Sequence, residues 1–111
     1  MSAIDDIVDE RRRQIEVEGC SPSRDDGYSK GELARAAGIY ALIAGADATD
    51  YRNARDGYSL GDYLQAIMDH YWPWAKSWFK PTTRRRALVK AGALIISEIE
   101  RLDRADDGAG Q

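Results

Sequence analysis

Apolar residues recur at helical spacing in four stretches of this chain, and nowhere do apolar and polar residues alternate as a half-buried strand requires. The first stretch predicts a helix from about Ala3 to Glu18, with Ile4, Ile7, Val8 and Ile15 on one stripe. Ser2 with Asp5 matches a capping box, in which the Ser oxygen accepts from free N–H groups and the acid reaches back. Arg11 interrupts the stripe, so its stem is expected at the core edge with its head outside. Gly19 is a natural stop, because glycine enters the left-handed region freely. Residues 20–28 are rich in turn formers and read as a loop. Ser29 with Glu32 makes a second box and opens a helix to about Ala44. Leu33, Ala36, Ala37, Tyr40, Ala41 and Ala44 give that helix a small-residue stripe suited to close packing, and Gly45 ends it.

Residues 45–58 are polar and read as either a short helical turn or a mobile loop, closed by Gly57. Ser59 with Asp62 supplies a third box-like start. The short helix that follows carries Leu60, Tyr63, Leu64, Ile67 and Met68 and stops near Tyr71, since Pro73 disfavours helix at Trp72. The last helix is predicted from about Thr83 to Arg104, with Leu88, Ala91, Ile95, Ile99 and Leu102 as its stripe. Val89, Gly92, Ala93 and Ile96 widen that stripe, and a helix apolar over most of its circumference belongs at the centre of a bundle. The pattern therefore predicts an all-α, single compact bundle of about four helices, with a Trp-rich loop before the last, central helix. Residues 1–105 form one domain and 106–111 a frayed tail.

Composition narrows the function. A net charge of −3 from 16 basic and 19 acidic side chains excludes general nucleic-acid binding, which needs an excess of Lys and Arg. Cys20 is the only cysteine, so no intrachain disulfide can form and a reducing compartment is the natural home. His70 is the only histidine, which argues against His-rich zinc sites and most catalytic triads. The N-terminus has no basic region followed by an apolar run, and the apolar run Ala91 to Ile96 is too short to span a bilayer. No membrane association and a cytoplasmic location are expected.

The densest chemistry lies between Tyr71 and Arg86. All three Trp residues and the only Phe fall there, followed by Arg84, Arg85 and Arg86 at the predicted start of the last helix. A helix N-terminus carries partial positive charge, so three arginines there are unfavourable unless something anionic is near. They could grip a phosphate together with free N–H groups of the helix, with Lys90 one turn further on. The plainer reading is a solvated turn, or one neutralised by Asp25, Asp26 or Glu32. Trp72, Trp74 and Trp78 could form a wall on which a base stacks, or a plug for the end of the bundle; one exposed indole face would satisfy both. Arg11, Arg12 and Arg13, interleaved with acids, read as a solvated face in which Arg12 and Glu16 can pair.

Metal catalysis has thinner support. Asp25 and Asp26 with Glu32 offer hard oxygen ligands. The spacings Asp5-Asp6-x-x-Asp9 and Glu100-x-x-Asp103 approach the acidic pairs of all-α nucleotide pyrophosphohydrolases. With 19 acids in 111 residues, chance spacings of this kind are expected. No phosphate-binding Gly-rich loop is present, no catalytic residue is assigned, and no motif implies a cofactor.

The two ends of the chain resemble a family of small bacteriophage and prophage proteins. The residues that carry this are Glu10-Arg11-Arg12-Arg13-Gln14-Ile15 with Glu18-Gly19, Asp25-Asp26, Gly31-Glu32-Leu33-Ala34, Trp72-Pro73-Trp74, Lys80-Pro81 and Arg86 through Leu102. Cys20 and Arg24 depart from that pattern, where Trp and His are expected, and residues 45–70 look like a variable insertion. Glu18-Gly19 and Arg24-Asp25-Asp26 are also similar to the order found in the ryanodine-receptor-type repeat domain, which implies a fold suited to nucleotide-like ligands. The expected function is a non-enzymatic phage accessory protein that binds a small anionic, nucleotide-like ligand, such as a host immune signal. The expected ligand-binding set is Trp72, Trp74, Trp78, Arg84, Arg85, Arg86, Lys90, Asp25 and Asp26. Two other expectations stand beside it: an inhibitor that docks its Trp loop on a host defence protein, and a metal-dependent nucleotide hydrolase. A homo-oligomer placing sites between subunits is open on this reading.

Overall fold

The computed structural model describes residues 2–109, with side chains to residue 106. In chain order the helices are α1 (Ala3–Glu18), α2 (Pro22–Asp26), α3 (Glu32–Ala44), α4 (Ala48–Asp56), α5 (Asp62–Tyr71) and α6 (Arg84–Ala109), with a 3₁₀ turn at Lys76–Trp78 between the last two. No strand occurs among the described residues, and no helix is long and apolar enough to cross a membrane.

Two helices were not predicted from apolar periodicity, so the count of about four becomes six. Both use local start and stop chemistry instead. In α2 the Ser21 side chain accepts from the Arg24 N–H, and Pro22 takes the first helical position, where its missing N–H costs nothing. In α4 the Asp47 side chain accepts from the Asp50 N–H, and Gly57 closes the helix at φ 82°. Only Tyr51 of α4 is buried, which is why its periodicity is silent. Of the three predicted capping boxes, Ser2 does cap α1. Ser29 and Ser59 do not cap their helices. The chain enters α3 through Gly31 at φ 84°, and Glu32 accepts from the Lys30 N–H; at α5 the Asp50 carboxylate accepts from the Gly61 N–H.

The core forms where α3 lies against α6. Leu33, Ala36, Ala37, Tyr40, Ile43 and Ala44 of α3 meet Ala87, Ala91 and Leu94 of α6, and Met68 and Trp72 close one end. Alanines at the contact let the two axes approach closely. Arg84 resolves part of the conflict at the start of α6. Its Nη1 donates to the carbonyls of Ala44 (2.8 Å) and Ala46 (2.7 Å), and its guanidinium lies 4.6 Å from the Tyr51 ring centre. A cation at the wrong pole of its own helix thus sits at the favourable, carbonyl-bearing end of an antiparallel neighbour.

The stripe predicted to bury α6 is mostly outside. Only Ala91 of that set is buried; Leu88, Ile95, Ile99 and Leu102 are 48–52% exposed. Ala87, Ala91 and Leu94 face α3, and Val89 and Ala93 are buried on another side of the helix. A third face of α6 is left open. Helix α1 is likewise turned from its expected orientation: Ile4 and Val8 are exposed, while Glu10, Arg11 and Gln14 are buried. Ile7 alone reaches across, against Gly92, where a Cβ would come within 2.9 Å of the Ile7 side chain. Helix α6 also runs to Ala109, past Arg104; the last two residues of the predicted tail lie outside the described residues.

Replacing Arg84 by Met keeps the aliphatic stem and removes the fork. Loss of two hydrogen bonds to otherwise open carbonyls is expected to lower unfolding free energy by ~1–3 kcal/mol, read by urea titration followed by circular dichroism.

Candidate functional site: an aromatic cavity with unpaired cations

The segment after α5 cannot continue as helix, because Pro73 forces Trp72 into an extended conformation (ψ 119°). The chain then folds back over α3. Trp72 is buried; its ring stands edge-on to Tyr40 (5.7 Å between centres), Trp74 (5.6 Å) and Phe79 (5.1 Å), and its Nε1 donates to the Ala75 carbonyl at 3.0 Å. Trp74 lies 5.3 Å from Tyr28, and its buried Nε1 donates to nothing. Trp78, on the 3₁₀ turn, is 56% exposed, with the Arg24 guanidinium 5.7 Å from its ring centre. The three indoles are thus both plug and wall: Trp72 seals the core, and Trp74 and Trp78 continue its surface outward.

Facing them is the polar side of α1. Glu10, only 1% exposed, accepts from Arg13 Nε (2.7 Å), Arg13 Nη2 (2.9 Å) and Gln14 Nε2 (3.2 Å), and also from Arg86 Nη2. Burial pushes its carboxyl up, but the hydrogen bonds and charge of Arg13, with Arg86 and Gln14, outweigh this and hold it below its ordinary value. Because Gln14 gives its amide N–H to Glu10, its Oε1 is aimed elsewhere, and this buried oxygen accepts nothing. Asp25 of α2 is equally buried. Arg11 Nη2 lies 3.1 Å from its Oδ2, yet neither carboxylate oxygen receives a hydrogen bond. Burial raises its carboxyl above the usual range, only partly offset by Arg11 and Arg104.

Between these walls lies a cavity of about 530 Å³. Trp74, Gln14 and Asp25 line it. Behind its surface the Trp74 N–H and the Gln14 amide oxygen are buried without a hydrogen-bond partner, while the buried Asp25 carboxylate has only its ion pair with Arg11. Its rim carries Arg24, Lys80 and Lys90, none of which has a carboxylate partner among the described residues. Lys90 is half-buried; its ammonium donates to the Lys80 carbonyl at 3.0 Å and lies 5.6 Å from the Tyr40 ring centre. Burial lowers its pKa from the ordinary lysine value, as expected of a cation without a counter-ion. The Cys20 thiol also lines the cavity and is pushed up, mainly by burial, which keeps it protonated and passive.

Of the residues expected from sequence, Trp72, Trp74, Trp78, Lys90 and Asp25 share this cavity. Arg84, Arg85, Arg86 and Asp26 do not line it. The three arginines diverge: Arg84 to α3 carbonyls, Arg85 to Asp6 (2.6 Å) and Arg86 to Glu10. The acids that neutralise Arg85 and Arg86 come from α1, not from Asp25, Asp26 or Glu32, because α1 packs along the start of α6. Asp26 pairs with Arg104 at 2.8 Å. The Arg11–Arg13 run is not one solvated face. Arg11 is buried between Asp25 and Glu100, Arg13 bridges Glu10 and Glu18, and Arg12 meets Asp9 at 3.5 Å instead of Glu16. The residues missed from sequence are Glu10, Gln14, Arg24, Tyr28, Tyr40 and Lys80. Glu10 and Gln14 are one turn apart, opposite the Ile4–Val8 edge; that polar pair on an amphipathic helix was the available signal. Among the described residues no cluster of three or more His, Cys, Asp or Glu is arranged to hold a metal ion.

Replacing Glu10 by Gln leaves Arg13 and Arg86 against a neutral amide. Stability at neutral pH is expected to fall by ~1–3 kcal/mol, since both arginines are partly exposed and Arg13 keeps Glu18. Since the folded-state pKa of Glu10 lies below its ordinary 4.5, its contribution is present above that pH and is lost as pH drops through the folded value. Urea midpoints measured below pH 4.5 should therefore fall more steeply with acid in the wild type than in Glu10→Gln. No family model, curated protein or solved structure gives a significant match to this chain, so the chemistry of the cavity stands on its own geometry.

Proposed function

We propose that the protein binds a small anionic ligand carrying an aromatic, nucleobase-like ring, without chemically transforming it. The supporting observation is one cavity that combines an indole wall with three cations lacking carboxylate partners. Stacking on the Trp74–Trp78 surface suits any flat π face and is worth ~1–3 kcal/mol per base. Lys90, Lys80 and Arg24 suit one or more phosphate groups at the mouth, a role the sequence had suggested for Arg84–Arg86.

The orphaned groups narrow the ring chemistry. Asp25 and Gln14 offer buried acceptors, and the Trp74 N–H offers one buried donor. A ring edge bearing amino or imino N–H groups beside an acceptor would suit them once a side-chain movement opened them to the cavity; the Gln14 oxygen and the Trp74 N–H otherwise stay desolvated without a partner, and Asp25 keeps only Arg11. Purines carry such edges. The resemblance of the sequence to phage proteins supplies a setting in which such a binder sequesters a nucleotide signal of the host. The exposed Trp78 ring favours a second reading, in which the same loop docks on a partner protein.

A thermal-shift panel of purine and pyrimidine mono-, di- and cyclic nucleotides, with and without magnesium, separates these readings. The binder predicts a magnesium-independent rise in Tm with no product on chromatography. Lys90→Met and Trp74→Phe should each weaken binding about tenfold or more, the first by removing the charge and the second by removing the N–H. Arg85→Ala should leave affinity unchanged. Magnesium-dependent product would support a hydrolase instead, and no response to any nucleotide would refute the small-molecule reading.

A further inference from the structure

The open face of α6 combines three observations that bear on one partner. First, Leu88, Ile95, Ile99 and Leu102 stay about half exposed, although the sequence makes this helix apolar on nearly every side. Second, α1 adds to the same side. Ile7 sits on Gly92, which lies one turn from Leu88 and from Ile95, and Ile4 and Val8 of α1 are exposed beside it. A helix that turns Glu10 and Gln14 inward and Ile4 and Val8 outward is inverted for a monomer. Half-exposed apolar side chains gathered on one helix face, with more exposed on its neighbour, point to an interaction site.

Third, the charge along α6 is divided. From Arg84 to Ser97 there are four cations and no carboxylate; from Glu98 onward the acids Glu98, Glu100, Asp103, Asp106 and Asp107 outnumber Arg101 and Arg104. Asp103 and Asp106 carry no ion pair among the described residues. The apolar positions are also symmetric, because Leu88 and Leu102 each stand seven residues from Ile95. A second copy of α6 laid antiparallel across Ile95 would put Leu88 on Leu102 of that copy and Ile95 on Ile95. Arg84, Arg86 and Lys90 are turned to α3, Glu10 and the cavity. The charge match therefore rests on Arg85, 62% exposed beside Asp6, which would come within a turn of the second copy's Asp103 and Asp106. The two helix dipoles would also be opposed. A two-fold interface needs this self-complementarity, whereas an unrelated partner does not.

We infer that this face is covered by a second copy of the chain, forming an antiparallel α6–α6 dimer whose two-fold axis passes by Ile95. The ligand cavities lie apart from this face, so the dimer is independent of the ligand reading.

The test is sedimentation equilibrium over a dilution series. The expected species has twice the 12.4 kDa monomer mass. Ile95→Asp, which sets two carboxylates against each other at the axis, should return the mass to the monomer's while circular dichroism keeps the wild-type helix signal. Asp103→Lys should raise the dissociation constant, and adding Arg85→Glu should bring it back toward wild type. If Ile95→Asp does not fold, a chain carrying Cys20→Ser and Ile95→Cys serves instead: mild oxidation should link it into a covalent dimer through its single thiol. A wild-type monomer at every concentration overturns the inference, and if that monomer co-sediments with anionic lipid vesicles the face belongs to a membrane surface. A dimer that survives Ile95→Asp with unchanged mass places the interface elsewhere and equally overturns it. So does a dimer of the Cys20→Ser, Ile95→Cys chain that fails to crosslink on oxidation.

Discussion

A carboxylate that is 1% exposed must be satisfied entirely by its neighbours, and Glu10 is satisfied by residues from two helices. Arg13 and Gln14 bind it from its own helix, and Arg86 reaches it from the start of α6. An unpaired charge at that depth would cost several kcal/mol, so the polar side of α1 is committed to the interior. The other features follow from that commitment. One wall of the cavity is polar because α1 supplies it, and Ile4, Val8 and Val17 of α1 are left on the outside. The arginines at the start of α6 lose their independence, since Arg85 and Arg86 are held by α1 and Arg84 by the end of α3.

The aromatic segment is the counterpart of that polar wall. Pro73 breaks α5, and the short run to Pro81 carries every indole across the mouth of the helical pair. Trp72 is anchored by its N–H and by three ring contacts, which makes it a fixed hinge for the more exposed rings. Trp74, by contrast, is packed but has an unused N–H. A cavity with a rigid apolar side and a few unspent polar groups is the usual anatomy of a small-molecule site.

Much of the fold is legible in the sequence where burial and periodicity agree. Helix α3 is the clearest case: its alanine stripe predicts close packing, and the structure buries nearly all of it. The ends of α1 are also legible, because Ser2 and Gly19 act through local backbone chemistry. Helices α2 and α4 were not, since each buries a single side chain and is defined by its caps alone. Orientation was the hardest property to read. Periodicity identifies the faces of α1 and α6 but not which one turns inward, and long-range pairing of Glu10 with Arg86 decided that for α1. The arginine cluster shows the same limit. Its conflict with the helix dipole was correctly visible, but its resolution through Ala44, Asp6 and Glu10 depends on contacts some 40 to 80 residues away.

All three indoles of this chain, with Tyr28 and Tyr40, sit in the wall of one cavity. The tryptophan emission of the protein therefore originates from a single place, with no distant indole to dilute it. Whatever enters or leaves that space changes the polarity around the tryptophans together, so the chain carries a built-in optical gauge of its own occupancy.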